Sequence, residues 1–177
     1  TTAVGAGCII GSSTVSAKRN AALAAAYTLS ESTLKEYQTK VIETIGEKKE
    51  HLVRDEISKD QLKQNPVSNN TVVVIGNDKT LCYDPVSKTY FKSSINKIDK
   101  AINRTNDQLL KEGYVSRNIF LMELGLEPND ESGEKGWRWE KDGMIEWYPS
   151  SQIADNDEPC IVINYYCAPH YRYDYSY

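Results

Sequence analysis

The sequence is poor in the residue types that many catalytic and metal-binding proteins need. It has two histidines, His51 and His170, and neither lies in a nucleophile motif. It contains no P-loop and no GxGxxG phosphate-binding loop. Its four cysteines form no CxxC pair, a pattern that suits a reducing compartment better than a secreted disulfide scaffold. We therefore predict no catalytic residue, no cofactor and no metal ion.

Charge and hydropathy exclude further classes of protein. The net charge of −4 lacks the basic excess of nucleic-acid-binding proteins, so we expect no nucleic-acid partner. Apolar residues make up 40% of the chain and charged residues 26%, which excludes both a disordered chain and a protein with several membrane spans.

Aromatic residues are almost missing from the first 70 positions. Of 12 Tyr, 3 Trp and 2 Phe, only Tyr27 and Tyr37 lie there, so we expect no compact core before about residue 70. Pro is missing from residues 1–65, and the helix-favouring residues Ala, Glu, Lys and Leu dominate residues 18–63. We predict a long helix over residues 1–63, a polar linker over 64–70 and a compact domain over 71–177.

The N-terminal segment has the pattern of an apolar helix end. Residues 1–17 carry no charge and are followed directly by Lys18 and Arg19, although this run is shorter than the roughly 20 residues that a membrane span needs. Gly7 and Gly11 form a GxxxG motif, whose small residues allow close helix packing. A packed or membrane-associated helix end and a frayed, glycine-rich terminus are the alternatives. Under the first, Gly7 and Gly11 are interaction residues.

One stripe of apolar residues runs along the predicted long helix. Its members recur at three-, four- and seven-residue steps, at Leu23, Tyr27, Leu34, Tyr37, Val41, Ile45 and Leu52. Such a stripe must be buried, either on the C-terminal domain or by self-association in a coiled coil or bundle. We predict Tyr27, Leu34, Tyr37 and Val41 as interaction residues. Gly46 interrupts the pattern and marks a break or a kink.

Residues 71–177 alternate between strand and helix signals. Strands are indicated at 71–75, 79–83, 137–139, 144–148 and 160–167, with hairpin turns at Gly76-Asn77-Asp78 and Asp142-Gly143. One helix is indicated from Ser93 or Ser94 to Gly113, and another from Ser116 to Gly125. The predicted fold is α+β, with a long N-terminal helix followed by a small, mostly antiparallel sheet of about five strands with two helices.

Tyrosines alternate with other residues at the C-terminus. On an edge strand, Tyr171, Tyr173, Tyr175 and Tyr177 would all point to one face. An exposed face of this kind would be a recognition surface, because aromatic residues dominate interface energetics. The alternative is that this face packs inward and the tail is the last strand of the sheet. We predict the four tyrosines as interaction residues.

Two candidate chemical sites compete with a purely structural role for the C-terminal domain. Residues 127–158 hold ten acidic and three basic side chains around Trp137, Trp139 and Trp147, a composition compatible with a small carbohydrate-active or metal-dependent hydrolase. The plainer interpretation is an acidic, solvated region with Trp in the core. Cys160, Cys167 and His170 could share a zinc ion, although structural zinc sites usually have four ligands.

An ordered series of residues runs through most of the chain. It comprises Lys18-Arg19-Asn20-Ala21-Ala22-Leu23-Ala24-Ala25-Ala26-Tyr27, Tyr37, Val41, Gly46-Glu47, Asn106-Asp107-Gln108-Leu109-Leu110, Gly113-Tyr114-Val115, Asn118, Leu124-Gly125-Leu126 and Gly136-Trp137. This series resembles an uncharacterised protein family of tailed phages and prophages of Firmicutes. The resemblance covers most of residues 5–140. It implies a longer, membrane-associated apolar N-terminal region, inside which this chain would begin. It implies no catalytic residues.

The shared positions have physical roles of their own. Gly113 and Gly125 are predicted helix stops, and Leu109, Leu110 and Leu124 are predicted core residues. Asn106 and Asn118 lie on predicted helices, where their amides could bond to the backbone and fix how the two helices meet.

The leading hypothesis from the sequence is a non-enzymatic structural or interaction protein encoded by a phage or prophage. It would belong to a virion or to an assembly at the host membrane or in the cytoplasm. Its partners would be proteins, including further copies of itself through the N-terminal helix, with membrane contact through the apolar segment. The hydrolase that uses the Trp and carboxylate cluster is the alternative.

Overall fold

The computed structural model describes residues 31–175, which form six α-helices, a short 3-10 helix and eight strands. The helices are α1 (Glu31–Ile45), α2 (Glu47–Gln64), α3 (Ile95–Glu112), α4 (Arg117–Leu124), α5 (Asp130–Gly133) and α6 (Trp139–Asp142), and the 3-10 helix is Val67–Asn69. The strands are β1 (Val72–Val74), β2 (Thr80–Asp84), β3 (Thr89–Ser93), β4 (Tyr114–Ser116), β5 (Lys135–Arg138), β6 (Trp147–Ile153), β7 (Pro159–Tyr165) and β8 (His170–Tyr171).

The prediction of one long N-terminal helix is wrong. Gly46 adopts φ +83°, in the left-handed region that glycine tolerates, and its N–H donates to the Ile42 carbonyl 2.9 Å away, which ends α1. A new helix, α2, begins at Glu47. Because the break resets the helical phase, Leu52 of the predicted stripe is 59% exposed whereas Val53 is buried. The longest helices of the described chain are α2 and α3, with 18 residues each.

The chain separates into two compact units, and the boundary falls within α2. The first unit ends at Ile57 and the second begins at Ser58. The segment predicted as a linker belongs to the second unit, where Val67 is buried and Asp155 accepts a hydrogen bond from the Val67 N–H at 2.6 Å. Asn65 donates to the Tyr83 hydroxyl at 3.2 Å, so this segment is bonded to the sheet.

The larger sheet of the second unit has five strands in the order β1-β3-β2-β7-β6. It is mixed, because β1 runs parallel to β3 and β2 runs parallel to β7, while the other two pairings are antiparallel. The predicted hairpin around Gly76-Asn77-Asp78 is wrong, since β1 and β2 do not pair with each other and β3 lies between them. The predicted arrangement, a mostly antiparallel sheet of about five strands with two helices, is therefore wrong. The structure is α+β, but its five-stranded sheet is mixed and it has a second sheet and more helices.

Both faces of the five-stranded sheet are covered by apolar side chains. One face contributes Cys82, Phe91 and Ile163 to a core that also contains Ile98 and Leu109 of α3. The other face packs Leu81, Tyr83, Tyr90 and Val162 against Leu62 and Val67. Burial on both faces explains why β2 and β7 are apolar almost throughout instead of alternating.

A second, three-stranded antiparallel sheet has the order β4-β5-β8. The hairpin predicted at Asp142-Gly143 is wrong, because Trp139–Asp142 forms the short helix α6, and β5 and β6 belong to different sheets. Trp137 is fully buried and joins the two sheets, with its ring centroid 5.7 Å from that of Tyr165 on β7. Its indole N–H donates to the Cys167 carbonyl at 2.8 Å.

A buried arginine joins three elements of the second unit. Arg117, at the start of α4, is 1% exposed, and its guanidinium bonds to Asp84 at the end of β2 and to Ser132 on α5. Burial lowers the pKa of this guanidinium below its ordinary value. The paired carboxylate of Asp84, equally buried, compensates the charge.

Candidate interaction surface

Two hydrogen bonds between Asn106 and Ile145 hold the segment of residues 139–145 against helix α3. Asn106 is 3% exposed; its amide nitrogen donates to the Ile145 carbonyl at 2.9 Å, and its amide oxygen accepts from the Ile145 N–H at 2.7 Å. At the other end of this segment the Trp139 N–H donates to the Gly113 carbonyl at 2.9 Å. Residues 139–145 therefore run antiparallel to residues 106–113, fixed at both ends.

Large apolar side chains are exposed along this fixed pair of segments. Leu110 is 51% exposed, Tyr114 43%, Trp139 41% and Met144 44%. We call these four residues the aromatic patch. Leu110 lies one helical turn after Asn106, Tyr114 and Trp139 flank the Gly113 contact, and Met144 precedes Ile145. All four lie in the second unit: Leu110 on α3, Tyr114 on β4, Trp139 on α6 and Met144 in the loop after α6.

The charged residues around the aromatic patch are of both signs. Helix α3 contributes Asp107, Lys111 and Glu112, and the β5–α6 segment contributes Arg138, Glu140 and Lys141. Arg138 and Glu140 approach each other to 3.6 Å. Asp142 is buried, whereas Glu146, directly after Ile145, is exposed. The rim therefore carries both signs, with three basic and four acidic side chains.

The tyrosine tail reaches this surface by a turn instead of a continuous strand. Strand β8 ends at Tyr171, and Arg172 then adopts φ +58°. Tyr171 and Tyr175 are exposed, whereas Tyr173 is half-buried, with its ring centroid 6.2 Å from that of Tyr114. Tyr173 also covers Gly136, where a Cβ atom would lie 2.7 Å from its ring. The tail thus packs against the aromatic patch through the contact between Tyr173 and Tyr114.

A buried carboxylate holds the base of the tail. Asp142 accepts hydrogen bonds from the Arg138 N–H at 2.7 Å and from the Cys167 thiol at 3.2 Å, and His170 Nε2 lies 2.8 Å from the same carboxylate. The second ring nitrogen of His170 lies 3.0 Å from the Tyr171 carbonyl. The carboxylate thus lies between the thiol and the imidazole. This arrangement links β5, α6 and β8.

The residues of the proposed zinc site do not form a cluster. Cys160 is buried in β7, on the sheet face packed against Leu62 and Val67, and burial raises the pKa of its thiol to about 12. Among the residues that the structure describes, no three His, Cys, Asp or Glu side chains are arranged to hold a metal ion.

The tryptophans and acids of 127–158 have separate surroundings. Trp137 is buried, Trp147 is half-buried with its indole N–H donating to Asp99 at 2.7 Å, and Trp139 is exposed. The acidic residues weighed with them, apart from Asp142, are exposed: Glu127, Asp130, Glu131, Glu134, Glu140 and Glu146. Trp139 thus belongs to the exposed apolar surface and not to a cluster of acids.

The other predicted interaction residues are distributed as follows. Gly7, Gly11, Tyr27 and Tyr177 lie outside the described residues. Leu34, Tyr37 and Val41 lie on α1, where Val41 is half-buried.

None of the four patch residues was predicted as an interaction residue. Leu110 was expected in the core, Trp139 was considered only for the hydrolase alternative, and Tyr114 and Met144 carried no signal of exposure. The helical spacing of apolar residues along α3 is the sequence signal that could have separated the buried Leu109 from the exposed Leu110.

The architecture is thus that of an α+β protein with a fixed aromatic surface. The model of a family described as "Family of unknown function (DUF6353)" matches residues 1–174, and the chain belongs to that family. No curated protein and no solved structure matches the chain. Between residues 31 and 175, no helix combines the length and the apolar character that a membrane crossing requires.

Proposed function

We propose that this protein is a non-enzymatic structural or interaction protein whose second unit binds another protein through the aromatic patch. The observation that carries the proposal is the patch itself, in which four large apolar side chains are about two-fifths to one-half exposed on a hydrogen-bonded frame. Aromatic residues and Met are enriched at protein interfaces, and hot-spot residues are most often Trp, Tyr and Arg.

The size of the patch supports a binding role. Side chains of about 200 Å² each, close to half exposed, together present roughly 400 Å² of apolar surface. Patches of this size are among the largest on typical monomers and are often functional. Leu110 and Met144 add flexible apolar side chains beside two rigid rings, a combination that adapts to a partner surface.

The resemblance of residues 5–140 to proteins of tailed phages and prophages supports placing the partner in a virion or in an assembly at the host membrane. Under this part of the proposal, mass spectrometry of purified virions detects the chain. Its absence from virions and from the membrane fraction of producing cells would refute the placement, while leaving the patch itself open to the test that follows.

Site-specific crosslinking tests the binding role of the patch. A benzophenone amino acid replaces Tyr114 in producing cells, and the same amino acid replaces Met122 as a control. Met122 lies on α4, is 49% exposed and does not belong to the patch. We expect a protein adduct from position 114 after irradiation and little from position 122. Equal adduct yields at the two positions, or none at position 114, would refute the proposal.

A further inference from the structure

We infer that strand β1 binds an extended peptide segment of another protein, which adds to the five-stranded sheet as a sixth strand. This site is separate from the aromatic patch and does not depend on the proposed function. Two observations carry the inference: an uncovered sheet edge, and a cavity that lies directly beside that edge.

Strand β1 is one of the two edge strands of the larger sheet. Its inner edge pairs with β3 through Val72, Val73 and Val74, and no strand of the described chain pairs with its outer edge. Val73 is 38% exposed and Val74 is 68% exposed. Backbone N–H and C=O groups of an edge strand that point away from the sheet are unpaired, so they can bond to a further strand. The occupant of this edge therefore needs an extended backbone.

The edge lacks the features that usually prevent strand pairing. Residues 71–75 are Thr-Val-Val-Val-Ile, all β-branched, with no charge and no Pro. Edges that avoid pairing commonly carry Lys, Pro or a bulge, and the opposite edge strand, β6, contains Pro149. Because β1 has only three residues, its main chain alone would hold a peptide weakly, and side-chain contacts must add to the binding.

A cavity of about 500 Å³ beside β1 can supply those contacts. Val73, Val74 and Ile75 line it, together with Leu121 of α4 and Leu126 of the loop after α4. Both leucines belong to the apolar core, so an apolar side chain placed here would meet an apolar surface. When a peptide adds to a sheet edge, main-chain bonds hold it and pockets for alternate side chains select its sequence. The partner segment should therefore carry an apolar residue at the cavity.

The charge at the cavity favours a basic residue in the same segment. Glu127 lines the cavity and is exposed, and none of the described lining residues is basic. Lys97 lies near Gly76 but is paired with Asp78. A second copy of this edge would not complement Glu127, because residues 71–76 contain no Lys or Arg. The complementary partner is an extended segment in which apolar residues alternate with polar ones and include Lys or Arg.

Selection from a ribosome-displayed library of random nine-residue peptides on the full 177-residue chain tests the inference. We expect enrichment of alternating peptides that contain Lys or Arg. Val74→Lys should weaken the binding of the most enriched peptide, synthesised with a fluorescent label, by about tenfold or more, since a charge on the edge opposes strand pairing. Ile153→Lys is the matched control, because Ile153 is 64% exposed on the other edge strand, and it should leave binding unchanged. Urea midpoints check that both variants fold.

Two further measurements separate strand addition from other modes of binding. Glu127→Lys should weaken the same peptide by about fivefold and favour a version with Glu in place of its basic residues. N-methylation of alternate peptide residues should abolish binding in one of its two phases only, because alternate N–H groups of an added strand face β1. Amide exchange of residues 72–74 should slow when the peptide binds.

Three results would overturn the inference: no enrichment of alternating peptides, equal binding to wild type and Val74→Lys, or equal binding of both N-methylated forms. Peptides that leave exchange in β1 unchanged and slow it around Leu110 and Ile145 would also overturn it. They would place binding at the aromatic patch, so the proposed function would gain support while the edge site fails.

Discussion

Replacing Asn106 by Ala should destabilise the second unit more than any exposed asparagine could. The substitution removes both hydrogen bonds to Ile145 and leaves the N–H and C=O of that residue without their partner. Ile145 is 2% exposed, so water cannot easily replace the lost bonds. Each of the two orphaned buried groups costs about 1–3 kcal/mol, and we therefore expect a loss of about 2–6 kcal/mol in the free energy of unfolding.

Asn118 provides a matched control within the same chain. Its amide makes the same pair of bonds to one residue, donating to the Asn129 carbonyl at 3.0 Å and accepting from the Asn129 N–H at 3.1 Å. Asn129 is exposed, so water satisfies its backbone once Asn118 is truncated. We expect Asn118→Ala to cost about 1 kcal/mol, the net value of ordinary hydrogen bonds.

Urea unfolding followed by tryptophan fluorescence measures both losses. Trp137, Trp139 and Trp147 all lie in the second unit, so the signal reports on the unit that contains both asparagines. Equal losses in the two variants, or a loss below about 1 kcal/mol for Asn106→Ala, would refute the reasoning that burial decides the value of these bonds. A change in the denaturant slope would indicate an altered unfolded or native state and not a simple loss of stability.

Three further substitutions or conditions test the fold. Gly136→Ala places a Cβ atom 2.2 Å from the Val115 carbonyl oxygen and should cost about 3 kcal/mol in urea unfolding, because backbone must move. Arg117→Met leaves Asp84 buried without its cation and should cost about 3–5 kcal/mol, against less than about 1 kcal/mol for Arg104→Met in an exposed pair, measured in the same assay. Burial raises the pKa of Tyr165 from 10.0 to about 12. Because burial disfavours the ionised ring in the folded state, this group leaves the free energy of unfolding unchanged below pH 10 and lowers it as the pH rises towards 12. Tyrosinate absorbance should therefore increase together with alkaline unfolding.

Helix ends were predictable because their signals are local. The Ser94 hydroxyl caps α3 by accepting from the Lys97 N–H, and Ser116 caps α4. Gly113 and Gly125 end these helices with φ values of +80° and +82°, as predicted for glycine at this position. The strand of residues 160–167 was also recognisable, since its apolar run is long and β-rich.

Strand partners were not predictable from neighbouring residues. The turn residues at 76–78 favoured pairing of β1 with β2, but β1 pairs with β3, and β2 pairs with β7, which lies far along the chain. The Asp-Gly pair at 142–143 likewise suggested a hairpin, whereas the Asp142 carboxylate bonds to Arg138, Cys167 and His170. In both places long-range contacts outweighed local turn preference.

The two asparagines on predicted helices show an intermediate case. The sequence predicted that Asn106 and Asn118 bond to backbone, and both do, but each fixes a loop segment and not a second helix. Amide chemistry follows from residue type, while the segment that it meets depends on how the chain returns to the helix.

By itself the sequence determined the helix ends, an apolar β7, the amide chemistry of two asparagines and a second unit rich in aromatic residues. Only the tertiary structure decided which strands pair and which apolar residues remain uncovered. Leu109 and Leu110 are neighbours of the same type, yet Leu109 is fully buried and Leu110 is 51% exposed. Successive residues on a helix point about 100° apart, so the elements packed around α3 decide which of the two stays exposed. The aromatic patch exists because those elements cover one leucine and leave the other in water.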